Sequence, residues 1–209
     1  MLLSKLVYLC IKNAIYDDDE SFTYEQFLEG RFDEDPKFSN QINNVFSPLN
    51  EAISRLSDLD KIPHIIDSVA TENNFVSFSS LSREFKEILN VAFEDKLGRL
   101  KASPYMKING GIQLRCPFPY TVSKILVEYK EEIPFLDKTH YDDELSDYGL
   151  NTTMCNYIIE YVAQGFLGRI ADESLANMHR AYAEQYFANI PSAKNELMQS
   201  KVAVVFPID

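Results

Sequence analysis

Three histidines, three cysteines and three acidic clusters are the side chains of this 209-residue chain whose types could support catalysis or metal binding. His64, His140 and His179 are scattered, in no HxxxH or HExxH spacing and beside no cysteine, so a zinc site would have to be assembled wholly by the fold. They read first as solvated or packed histidines. Cys10, Cys116 and Cys155 are an odd number at wide spacing, which suits neither a disulfide framework nor a CxxC pair, and they read as reduced thiols of a cytosolic protein. No local signature marks one of them as the nucleophile of a Cys/His pair. The clusters Asp17-Asp18-Asp19-Glu20, Asp33-Glu34-Asp35 and Asp142-Asp143-Glu144 lack the alternating ligands and central glycine of a calcium loop and read as solvated acids. The enzyme alternative is a metal-dependent hydrolase built on His140, Asp142, Asp143 and Glu144. There is no GxSxG elbow, P-loop or GxGxxG, and Gly165-Phe166-Leu167-Gly168 reads as the end of a helix rather than a phosphate cradle. Asn151-Thr152-Thr153 matches a glycosylation acceptor but follows no secretory signal. The expectation is a protein that is not an enzyme, with no catalytic residue, cofactor or metal.

The charge balance points the same way. Twenty basic against 32 acidic residues leave a net charge of −12, a field that repels phosphate and argues against coating DNA or RNA. With 45% hydrophobic and 25% charged residues the chain can bury a core without staples. Lys5 and Lys12 interrupt the apolar opening run, and elsewhere no stretch approaches the ~20 apolar residues of a membrane span, so no membrane partner is expected.

The elements that would position these residues form an α+β pattern, helical then β-rich then helical. Residues 1–60 read as helices: Leu3, Leu6, Val7, Cys10, Ile11 and Ala14 repeat at helical spacing, and a second helix opens near Asp35-Pro36 with the stripe Phe38, Ile42, Val45, Phe46, Leu49, Ile53 and Leu56. Pro48 is expected to kink or restart that helix, with Ser47 as N-cap of the second half. Residues 61–136 read as a β-rich insertion. Met106–Ile108, Asn109-Gly110 and Gly111–Leu114 carry a hairpin signature in which Asn and Gly accept positive φ. Val122 to Tyr129 reads as a strand covered on one side, Phe75–Phe78 as another, and Ile88–Phe93 as strand or short helix. Residues 137–192 read as an acidic connector followed by a helical hairpin. Its first helix has the stripe Leu150, Met154, Tyr157, Ile158, Tyr161, Val162 and Phe166 and is closed by Gly165 and Gly168. The second is capped by Asp172 and has the stripe Leu175, Met178, Tyr182, Tyr186 and Phe187.

Residues 193–209 form a tail whose segment Lys201, Val202, Ala203, Val204, Val205, Phe206 is apolar and strand-like. An uncovered strand leaves N–H and C=O groups and apolar side chains in water, so this arm is expected either to fold back on its own sheet or to add to another chain by strand augmentation.

The order of these elements resembles the head-to-tail adaptor, or connector, proteins of tailed bacteriophages. The features that carry the resemblance are a short N-terminal helix followed by a longer one and a β-rich insertion ending in Ile125-Leu126-Val127-Glu128-Tyr129-Lys130. They continue with the acidic connector, Asn156-Tyr157-Ile158-Ile159-Glu160-Tyr161-Val162-Ala163-Gln164-Gly165-Phe166, and a partner helix over Glu173 to Asn189. The likeness is one of pattern and covers most of the chain. It implies a helical bundle bearing a β-domain, about twelve copies in a ring beneath a portal protein, and a C-terminal arm whose Lys201, Val202, Val204, Val205 and Phe206 meet the portal or a neighbour. It further implies tail or further neck proteins as partners, a place at the virion neck after assembly in the host cytoplasm, and DNA passing through without specific binding. Asp17, Asp18, Asp19, Asp142, Asp143 and Glu144 would then be channel-facing or solvated acids. A different neck, stopper or tail-hub ring, or a cellular scaffold, fits the same pattern.

Overall fold

The computed structural model describes residues 1–15, 22–31, 36–94, 100–115, 122, 124–169 and 173–194. The chain is α+β. Its elements are helices α1 (Leu3–Ile15), α2 (Tyr24–Leu28), α3 (Pro36–Asn44) and α4 (Phe46–Asp58), strands β1 (Ile65–Ala70), β2 (Phe75–Ser77), β3 (Phe85–Glu94), β4 (Leu100–Ala102), β5 (Tyr105–Ile108), β6 (Gly111–Leu114) and β7 (Lys124–Glu131), then helices α5 (Thr152–Arg169) and α6 (Glu173–Asn189). Residues 1–62 and 134–192 make one compact unit, and residues 63–133 the body of a second.

In the helical unit α5 is the hub, packing against α1, α4 and α6. Its buried residues Met154, Cys155, Tyr157, Ile158, Val162 and Ala163 are spread around the helix rather than gathered on one stripe, as a central helix with three neighbours requires. α1 buries Leu3, Leu6, Val7, Cys10, Ile11 and Ala14, the spacing expected of one face. Pro36 opens α3, where its missing N–H has no intrahelical acceptor to lose. The break expected at Pro48 falls instead at Val45, between α3 and α4. Pro48 is the third residue of α4, still within the first turn, so it neither kinks the helix nor leaves a bond unmade. Ser47 is accordingly not the N-cap; Val45 occupies that position without a side-chain cap. Phe46, Leu49, Ala52, Ile53 and Leu56 form the buried face of α4. Asn50 then clamps the chain re-entering from the β-rich stretch: its Nδ2 donates to the Leu136 carbonyl and its Oδ1 accepts the Leu136 N–H, both at 2.8 Å. Pro134–Leu136 thus belongs with the helices.

α5 does not end at Gly165. It runs through Gly165 and Gly168 to Arg169, and a Cβ at Gly165 would meet nothing within 4 Å. One interior glycine costs about 1 kcal/mol relative to alanine, less than the packing of Val162 and Ala163 just before it returns. α6 is corrected more sharply. The residues it buries are Ala176, His179 and Ala183, while Met178 and Tyr182 of the expected stripe are 37% and 46% exposed. Small side chains let α6 lie close to α5, so the bulky residues turn outward. Asp172 lies outside the described residues.

In the β unit a four-stranded antiparallel sheet runs β1-β7-β3-β4, and a three-stranded one runs β2-β6-β5. Val69, Val76, Ile88, Val91, Ile112, Leu114, Ile125, Val127 and Tyr129 form one core, so both sheets contribute to it. Ile88 to Phe93 is strand, within β3. β7 pairs on both edges and is covered on both faces at its centre: Val127, Glu128 and Tyr129 are all buried, against the expectation of one covered side. The β5–β6 hairpin has the expected register, Ile108 opposite Gly111, but only Gly110 takes positive φ, at 79°. The turn with two left-handed residues is Asn73-Asn74 (φ 52° and 60°), bracketed by the Glu72–Phe75 bridge. Gly111 is obligatory for a different reason, since a Cβ there would lie 2.3 Å from the Val76 carbonyl oxygen.

Candidate functional site

The acidic connector organises the start of α1. A helix leaves its first N–H groups without intrahelical acceptors. Here the Leu3 N–H donates to the Asp143 carbonyl at 3.1 Å and the Ser4 N–H to the Tyr141 carbonyl at 3.2 Å, while the Leu145 N–H donates back to the Met1 carbonyl at 3.0 Å. The Glu144 carboxylate pairs with the Met1 amino group at 2.8 Å, and the Asp143 carboxylate accepts the Tyr148 hydroxyl at 2.6 Å. His140 Nδ1 lies 3.0 Å from Asp137 Oδ1. The Thr139 hydroxyl and N–H, followed by His140, hold the Asp137 carboxyl below its usual range. Asp142 is exposed. His140, Asp142, Asp143 and Glu144 are therefore distributed among separate structural tasks, and among the described residues no three His, Cys, Asp or Glu side chains gather where a metal ion could be held. Asp17, Asp18, Asp19, Lys201, Val202, Val204, Val205, Phe206 and Cys116 lie outside the described residues.

Cys10 and Cys155 are buried in the helical unit as free thiols. Burial pushes the Cys155 thiol up to about 11 and Cys10 higher still, so neither is a thiolate at neutral pH.

Two buried glutamate–histidine pairs escape sequence reasoning, because each joins residues tens of positions apart. In the β unit Glu128 on β7 is fully buried, with His64 Nδ1 at 3.3 Å from Oε1 and Asn90 Nδ2 of β3 donating to Oε2 at 2.7 Å. In the helical unit Glu160 on α5 has His179 Nδ1 of α6 at 2.5 Å and accepts from Asn13 Nδ2 of α1 at 3.3 Å. A hydrophilic residue on a core-facing strand or helix position was the available signal; its partners were not.

The largest concavity of defined chemistry in the helical unit is a cleft of about 510 Å³ between α4, α5 and α6, lined by Glu51, Arg55, Tyr157, Tyr161, Arg180 and Phe187 among others. The Tyr161 hydroxyl donates to Glu51 Oε1 at 2.7 Å, and burial followed by that bond pushes its pKa to about 12, so it stays a neutral donor. Tyr157 stacks its ring between Tyr161 and Phe187, at 5.7 and 5.3 Å between centroids. Arg55 and Lys61 sit 5.2 and 5.1 Å from the Phe187 ring, and Lys61 Nζ also donates to the Ile190 carbonyl at 2.7 Å, a cation at the negative end of α6. Such an arrangement offers aromatic and hydrogen-bonding contacts, with no group poised to exchange a proton near pH 7.

Among the described residues no helix is long and apolar enough to cross a membrane. No protein-family model and no curated protein matches the chain.

Proposed function

We propose that this chain is a structural, non-enzymatic virion component, a ring-forming head-to-tail adaptor that docks on the portal and joins it to the tail around the DNA channel. The observation that carries the reading is the discontinuous helical unit: residues 1–62 and 134–192 close around α5, with a separate β unit inserted between them, the organisation that the adaptor resemblance implies. The net charge of −12 agrees with a channel wall along which a duplex slides without being held. The acids of the connector serve this reading as surface charge, since their other contacts are local. The arm, residues 193–209, reaches the portal or a neighbouring subunit through Lys201, Val202, Val204, Val205 and Phe206, and the assembled protein resides at the virion neck after assembly in the host cytoplasm.

Removing residues 193–209, or introducing Val204→Asp, is expected to leave a folded protein that no longer attaches to portal particles imaged by electron microscopy. A truncated chain that still docks normally overturns the arm's role. Crosslinking of the intact protein to the portal separates an adaptor from a more distal neck or hub ring, which would crosslink to other neck proteins instead.

A further inference from the structure

The outward arc of α6 differs from the surface expected of so acidic a chain. Taking 3.6 residues per turn, Ser174, Asn177, Met178, Ala181, Tyr182 and Gln185 fall on one side of the helix, and every one of them is exposed. None is charged. The three charged residues of α6, Glu173, Arg180 and Glu184, lie together along one edge of this arc, and Ala176, His179 and Ala183 face the core on the far side. Leu175 and Tyr186, both half-buried, border the other edge. Roughly half the helix circumference is thus free of charge, with exposed Met178 and Tyr182 at its centre and small residues, Ser174 and Ala181, seven positions apart. Depletion of charge with enrichment of tyrosine and methionine is the composition of a buried interface core rather than of free surface.

We infer that this arc is a contact face for a second copy of the same chain. The argument for that occupant is electrostatic. Two copies each carry −12, and wherever carboxylates oppose carboxylates their approach is unfavourable. An uncharged helical face removes the penalty locally, and small residues along it allow a close helix approach. The arc is also limited in size: 17 residues at 1.5 Å rise give about 26 Å of length, and with a width of about 10 Å it covers about a third of the ~800 Å² per partner of a stable complex. Self-association through it is therefore weak in isolation and is reinforced by other contacts when copies are held side by side. This inference deepens the assembly reading above by naming one of the faces that join its copies.

Sedimentation velocity of the full chain across a concentration series, at low and at high sodium chloride, tests it. The weight-average mass should rise with concentration and rise further in high salt, because screening weakens the mutual repulsion. Met178→Glu with Tyr182→Glu should weaken association at least tenfold, whereas Tyr182→Phe should leave it intact. As an independent readout, Ala181→Cys in a Cys116→Ser background should crosslink between copies with a short bismaleimide, the other two thiols being buried. A wild-type chain that stays monomeric under all conditions, or a double-glutamate variant with wild-type mass and a native circular dichroism spectrum, overturns the inference. Such a result together with loss of portal attachment on removing the arm leaves the adaptor reading standing. Salt-enhanced association abolished by the α6 substitutions, in a chain whose truncated form still docks, does the reverse.

Discussion

The two buried glutamate–histidine pairs are alike in composition and different in construction. Glu128 lies on the doubly paired strand β7 and is fully buried, and its bond from Asn90 comes from the strand next to it. Glu160 lies on the hub helix, its side chain 16% exposed, and its partners Asn13 and His179 come from two different helices. In the sheet the backbone ladder already fixes the strands, and the polar cluster fills a covered face. Among the helices no backbone bond links one element to the next, so Glu160 is itself a tie between α1, α5 and α6. A buried acid therefore does different work in the two units: in one it must be satisfied, in the other it selects how elements meet.

The comparison is broken most decisively at Glu128. Glu128→Ala leaves Asn90 and His64 facing a buried void and should destabilise the β unit by about 3–5 kcal/mol, read from urea unfolding followed by circular dichroism. His179→Leu should cost the helical unit about 1–2 kcal/mol, because Glu160 keeps Asn13 and partial access to water. Equal losses at the two sites would mean that exposure does not distinguish them.

Acid sharpens the contrast. Burial alone would raise the pKa of Asp67 on β1, but the Ser82 N–H and hydroxyl and the Tyr129 hydroxyl outweigh it, and the carboxyl lies below its usual value. Its contribution is present above the unfolded pKa of about 3.9 and is lost as pH falls through the lower folded value. Asp67→Asn should therefore be less stable than wild type at pH 7, and the difference should close between about pH 4 and 2 in a series of urea midpoints. The smallest effect is expected at Gly165, where open space and a helical backbone should let Gly165→Ala stabilise the helical unit by about 0.5–1 kcal/mol, seen as a small rise in thermal midpoint.

Local chemistry was legible in the sequence where it depended on neighbours along the chain. The α1 stripe, Pro36 at a helix start and the β5–β6 register all follow from short-range spacing. The errors arose where a tertiary neighbour decided. The bulky stripe of α6 has helical spacing as clean as that of α1, yet Ala176, His179 and Ala183 win the inner face because α5 approaches closely. Gly165 has the look of a helix terminus, but packing carries α5 past it. Asn73 and Asn74, rather than Asn109, take the left-handed turn, since either dipeptide accepts it and the strand register selects. The connector's acids read as loose surface, whereas the backbone carbonyls of Tyr141 and Asp143 are what α1 uses, and a carbonyl leaves no mark in a sequence.

The way α1 is finished has a consequence for the timing of synthesis. Its first N–H groups and its apolar face are matched by segments more than 120 residues further along, the connector and α5. At translation rates of about 5–20 residues per second, α1 waits roughly 6 to 25 s for them to leave the ribosome, while the intervening sheets can already be pairing. The earliest-made helix is thus among the last to be sheltered, and a nascent chain would carry Leu3, Leu6, Val7 and Ile11 as a natural handle for a chaperone during that interval.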